Sequence, residues 1–197
     1  YVHGLRTAYG VGRSIWGKLF PWGTLGLMVG IAAIVVAVQA QLPPGVTDRV
    51  FTYWQFPVQT NILVLLFCAV AAPELVSRDL RSGVLPLYFS RPLSRRDYPL
   101  AKYLALTTAV FGLQAVALLA LFFGSAFSQD SMGAVADEFG LFLQGLVVAA
   151  FTAILFAAIA LLVASLSGRR AVAAALIVGV FILTTPVLGV LQLLAWA

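Results

Sequence analysis

The sequence predicts an all-α membrane protein, with an N-terminal interfacial helix and five transmembrane helices in a single domain over 1–197. Three observations predict it. First, 62% of the residues are hydrophobic and 10% are charged, against about 25% charged in soluble domains. Second, the charges leave five long uncharged windows, 19–47, 50–73, 103–129, 139–168 and 171–197. Each reaches the roughly 20 residues with which a helix crosses about 30 Å of hydrocarbon. Third, runs such as "LFLQGLVVAAFTAILFAAIALLVASL" lack the short, alternating pattern of barrel strands.

Charge placement orients the bundle, because basic residues near helix ends stay on the cytoplasmic side. Arg6, Arg13 and Lys18 precede the first span, Arg78, Arg81, Arg91, Arg95, Arg96 and Lys102 lie between the second and third, and Arg169 and Arg170 separate the fourth from the fifth. Eleven of the 12 basic residues therefore share one side, with Arg49 the exception. The N-terminus is expected inside, and the net charge of +5 reflects topology rather than nucleic-acid binding.

The elements follow in order. Over 1–20, Val2, Leu5, Tyr9, Trp16, Leu19 and Phe20 fall on one helical face flanked by Arg6 and Arg13. That pattern suits a helix lying in the interface, with Pro21 marking the turn into the first span, although Gly4, Gly10, Gly12 and Gly17 weaken it. The first span, 22–42, contains Gly26 and Gly30 at small-xxx-small spacing. Tyr53 and Trp54 stand as interfacial anchors ahead of the second span, 56–80, which extends past the membrane through Pro73 and Glu74. Glu74 and Arg78, four residues apart, make that extension compatible with water. Ser82-Gly83 then breaks the helix, a coupling loop over 83–92 holds a short apolar helix, and Ser94 with Asp97 caps the third span, 97–124. The fourth and fifth spans occupy 139–167 and 171–197, and Pro186 gives the fifth a place to kink.

Little here can do chemistry alone. No ionisable residue lies near the centre of a span, where proton- and ion-coupled transporters place theirs. His3 and Cys68 are single residues of their kind, which leaves no metal cluster and no disulfide within one copy. The stretch from Gly12 to Lys18 imitates a phosphate-binding loop, but Leu19 replaces the magnesium-holding Ser or Thr and no strand precedes it. The chain is expected to be non-catalytic, with no cofactor and no metal of its own. Its interior polar residues, including Asn61, Gln114, Gln144, Thr184 and Thr185, need partners on other helices or a wet cavity.

The stretch "RSGVLPLYFSRPLSRRDYPLAK" interrupts this apolar chain. Val84, Leu85, Leu87, Tyr88 and Phe89 form an apolar element in a charged cytoplasmic setting, and such a patch asks for the membrane surface or for another protein. The arginines around it favour an acidic surface of either kind. Pattern alone leaves the two open.

Over residues 74–102 the run Glu74, Arg78-Asp79, Ser82-Gly83-Val84-Leu85, Ser90-Arg91-Pro92-Leu93-Ser94-Arg95-Arg96, Tyr98 and Lys102 resembles the first cytoplasmic loop of ABC-2 type transporter permeases. The resemblance implies a transmembrane permease subunit of a bacterial ABC exporter, multi-pass in the inner cell membrane. It implies that Gly83, Val84, Leu85, Leu87, Tyr88 and Phe89 dock on a separate ATPase subunit, that Arg91, Arg95 and Arg96 orient the docking, and that Glu74 and Arg78 form the stalk. Asn61, Gln114, Gln144, Thr184 and Thr185 are then candidates for lining the substrate cavity. The implied partners are two ATPase subunits carrying ATP and magnesium, a second permease copy and membrane lipid. An amphipathic, drug-like or lipid-like cargo suits spans rich in Ala, Val, Leu and Phe. The competing function is a membrane scaffold or assembly protein whose basic loop binds anionic lipid or a partner without an ATP cycle. Family members have six spans; the sixth is expected beyond Ala197.

Overall fold

The computed structural model describes residues 2–10, 15–41, 52–76, 97–127, 132–167 and 169–195. All described elements are helices: α1 (Val2–Ala8), α2 (Ile15–Gln39), α3 (Gln55–Gln59), α4 (Asn61–Leu75), α5 (Asp97–Ala126), α6 (Met132–Ser165) and α7 (Arg170–Ala195). Lys18–Gln39, Asp97–Ala126 and Met132–Ser165 are long and apolar enough to cross a membrane, and Asn61–Leu75 and Arg170–Ile182 are shorter apolar helices. The class is all-α, as the composition predicts.

The N-terminal region differs from expectation in two ways. The expected turn at Pro21 is absent, because α2 begins at Ile15 and runs through the proline. Pro21 takes one N–H out of the helical ladder, and in a membrane helix neighbouring groups make good such a loss. One turn further on, the Thr24 hydroxyl donates to the Phe20 carbonyl at 2.9 Å, a separate bond within the same helix. The second difference is that α1 is held by the bundle through its small residues. Gly4 and Ala8 are buried, whereas Val2 is 59% exposed. A Cβ on Gly4 would stand 2.9 Å from Ala105 Cβ, so only glycine allows this approach to α5. Gly10, with φ 66°, supplies the left-handed residue that ends α1. Two glycines that weaken an isolated helix are thus needed by this packed one.

The second span is not one continuous helix. Thr60 (φ −86°, ψ 5°) separates α3 from α4, and its hydroxyl donates to the Phe56 carbonyl at 2.8 Å. A threonine bonded back to the preceding turn competes with the backbone and favours a bend. α4 ends at Leu75, and 77–80 lie outside the described residues. α5 starts at Asp97 and closes at Ala126. α6 starts at Met132 rather than near residue 139, which carries Asp137 and Glu138 within its first turns.

The core is built around α4, which packs against every other described helix. Val64, Phe67, Cys68, Ala72 and Leu75 are fully buried on it. The broadest contact joins α5 to α6. On α6 the buried side holds Gly145, Ala149, Ala153 and Ala157 at four-residue spacing, while Leu143, Val147, Phe151 and Leu155 on the other side are exposed. This inverts the pattern of a water-soluble helix. Lipid is as apolar as leucine, so helices associate by close packing of small residues and leave large ones to the acyl chains.

Candidate functional site

The predicted docking residues, Gly83, Val84, Leu85, Leu87, Tyr88, Phe89, Arg91, Arg95 and Arg96, lie outside the described residues, as does Arg78 of the expected stalk. What the structure describes is the pair of helix ends that flank them. α4 finishes with Pro73, Glu74 and Leu75, and α5 restarts at Asp97. At that restart Lys102 sits 5.4 Å from the centre of the Tyr98 ring, one turn away, a cation–π contact. Asp97 lies in the first turn of α5, where a negative charge complements the helix dipole.

Glu74 is the residue that connects this end to the rest of the bundle. Its carboxylate forms an ion pair with the Arg170 guanidinium at the start of α7, 96 residues further on. The Glu74 side chain is 16% exposed and that of Arg170 48%. Beside the pair lies a cavity of about 20 Å³ between α1, α2 and α4, bordered by Thr7, Phe20, Val70 and Glu74. In the sequence Arg170 reads only as an orientation signal. A signal was nonetheless present: two adjacent arginines, with no acidic residue, open α7, where the helix dipole disfavours positive charge.

The interior polar residues separate into distinct places. Gln114 is fully buried on α5, and the Thr152 hydroxyl of α6 donates to its Oε1 at 2.9 Å. Its Nε2 has no acceptor among the described residues, nor has the buried Thr107 hydroxyl seven residues earlier on the same face a partner. Asn61, at the start of α4, is half-buried, and its Oδ1 has no partner among the described residues. Gln144 is exposed on α6, so it does not share a surface with Gln114. Thr184 and Thr185 fall within α7, but their side chains lie outside the described residues.

At the opposite end a second polar group ties three elements together. Tyr53, expected as an interfacial anchor, is instead only 6% exposed, while Trp54 is 45% exposed. The Tyr53 hydroxyl meets Ser125 Oγ at 2.5 Å, and Ser125 Oγ lies 3.3 Å from a Glu138 carboxylate oxygen. Burial first, and then the Glu138 carboxylate, raise the Tyr53 hydroxyl above its ordinary value of 10.0. Gly145 makes room for this turn, since a Cβ there would stand 3.0 Å from the Tyr53 carbonyl oxygen. Phe122, Phe139 and Phe142 pack beside it at 5.2 to 6.0 Å between ring centres.

An apolar helical bundle tied at one end by an ion pair and at the other by a hydrogen-bonded network defines a helical membrane protein. Residues 16–195 match the ABC-2 family transporter protein, and the chain belongs to that family. It is therefore a permease component of an ABC transporter, a membrane transport part whose family implies an ABC ATPase partner. The match reaches far beyond the loop at 74–102 on which the resemblance rests. No curated protein and no solved structure matches the chain.

Proposed function

We propose that the chain is the transmembrane permease subunit of an ATP-driven exporter in a bacterial inner membrane, with its N-terminus and the loop at 77–96 in the cytoplasm. Two permease copies work with two ATPase subunits, which carry the ATP and magnesium. The element at 83–89 docks on the ATPase, Arg91, Arg95 and Arg96 orient it, and Glu74 and Arg78 pass the motion into the bundle. ATP binding biases the bundle between inward and outward access because it binds the two states with different affinity. The cargo is an amphipathic or lipid-like molecule. The observation that carries this reading is the family match over residues 16–195, which includes both the basic loop and the helices around it. The eleven basic residues on one side of the spans support the orientation.

The test replaces Arg91, Arg95 and Arg96 with Glu together. The triple variant is expected to reach the membrane at wild-type levels and to lose the ATPase on co-purification. If it keeps a stoichiometric ATPase, the docking assignment fails. If the wild-type chain brings down no ATPase and binds anionic vesicles instead, the chain is a scaffold.

A further inference from the structure

We infer that the Glu74–Arg170 ion pair is a releasable clasp, closed in the state described here and opened by ATP binding, which ties the tip of α4 to the start of α7. The inference rests on the reading of the chain as an ATP-coupled permease. Four observations lead to it.

The first is that local forces do not explain Arg170. It follows Arg169 at the N-terminal end of α7, which has no acidic residue in its first turn. Positive charge opposes the dipole there, so the arginine is held in place by its partner across the bundle. The second is the uneven burial of the pair. Arg170 is 48% exposed and can exchange the carboxylate for water, whereas Glu74 is 16% exposed. Such a pair avoids the full desolvation that would make a deeply buried one hard to open and close.

The third observation is Pro73, buried within α4 immediately before Glu74. It cannot donate a backbone hydrogen bond, which weakens the helix at that turn. Across it, the Val76 N–H bonds to the Ala72 carbonyl at 3.1 Å, so the tip stays helical with one ladder bond fewer than a proline-free turn would have. Glu74 thus lies immediately beyond a weakened turn. The fourth is the cavity of about 20 Å³ beside Glu74, bordered by Thr7 and Phe20. A space of that size, with a hydroxyl and a carboxylate in its wall, has room for one water. That room lets water reach the carboxylate when Arg170 withdraws, and a permanent strut would need neither this space nor the weakened turn before it.

The clasp is tested in the full transporter, permease with its ATPase, reconstituted in lipid discs. Glu74→Cys and Arg170→Cys are combined in a Cys68→Ser background, since Cys68 is the one native thiol. Disulfide formation is followed without nucleotide and with ATP plus vanadate. Cross-linking is expected without nucleotide and to fall at least about five-fold when nucleotide is trapped, the lower end of ordinary conformational coupling. The cross-linked complex should lose ATP hydrolysis by a similar factor and regain it on reduction. Equal cross-linking in both conditions, more with nucleotide, or none in either overturns the clasp. The exchanged pair Glu74→Arg with Arg170→Glu guards against a folding artefact, because it should recover hydrolysis that Glu74→Arg alone loses; failure to recover it also counts against the clasp. If no ATPase co-purifies with the wild-type chain, the permease reading falls and the clasp with it. If the ATPase is bound and active while cross-linking ignores nucleotide, the clasp alone falls.

Discussion

Thr152 donates a hydrogen bond to Gln114 at 2.9 Å across the contact between α5 and α6, and it satisfies only half of that glutamine. The Gln114 amide nitrogen is buried without an acceptor among the described residues. An unmet donor in an apolar interior costs about 1 to 3 kcal/mol, while a hydrogen bond between membrane helices contributes about 0.6 kcal/mol on average. The cost therefore outweighs the gain, and the two positions should respond differently to substitution. Thr152→Val leaves both amide groups unmet and is expected to lower stability by about 1 kcal/mol. Gln114→Leu removes the burden and should leave stability unchanged or raised, with Gln114→Leu/Thr152→Val close to it. Unfolding in mixed detergent measures all three. A large loss in Gln114→Leu would show that Nε2 has an acceptor in the assembled transporter.

Tyr9 places α1 by reaching the Ala109 carbonyl of α5 at 2.8 Å, and Gly112 leaves the space through which it does so. A Cβ on Gly112 would stand 2.8 Å from the Tyr9 hydroxyl oxygen. Gly112→Ala should therefore expel that hydroxyl and lower stability by about 1 to 3 kcal/mol, the usual effect of overpacking. The clash is with the hydroxyl alone, so Tyr9→Phe in the same chain should recover part of the loss. Thermal unfolding of the two single variants and the double one decides it. Strict additivity would mean that α1 is held elsewhere.

These contacts show why some of the molecule is legible in sequence and some is not. The long spans are, because uninterrupted apolar windows have few other uses and the charges between them alternate in number from side to side. The restart at Asp97 is legible for a local reason, an acidic residue at the first turn of a helix. The run of α2 through Pro21 and the break at Thr60 are not, because the composition of each turn permits either outcome. Tertiary contacts are harder still. Gly4 reads as a helix breaker until Ala105 lies against it. Arg170 reads as a topology signal until Glu74, 96 residues away, is seen beside it.

Tyr53 gives the bundle a dependence on pH at the end opposite the basic loop. Its hydroxyl is raised above 10.0, first by burial and then by the Glu138 carboxylate, and Ser125 acts in the other direction. The folded protein therefore holds the phenolic proton more tightly than the unfolded chain. A group of this kind contributes stability that is fully present below its unfolded value, near pH 10.0, and is lost as pH rises towards the folded one. Wild-type stability should be flat in this respect at neutral pH and fall as the solution passes pH 10.0. Tyr53→Phe should be less stable at neutral pH by about 1 kcal/mol, the usual worth of one hydrogen bond, and should lose less on going to alkaline pH. The other tyrosines titrate in both proteins, so the difference between the two curves isolates Tyr53. A gap that widens above pH 10.0 instead of closing would mean that the folded state accepts the phenolate, and the network with Ser125 and Glu138 would have to be redrawn.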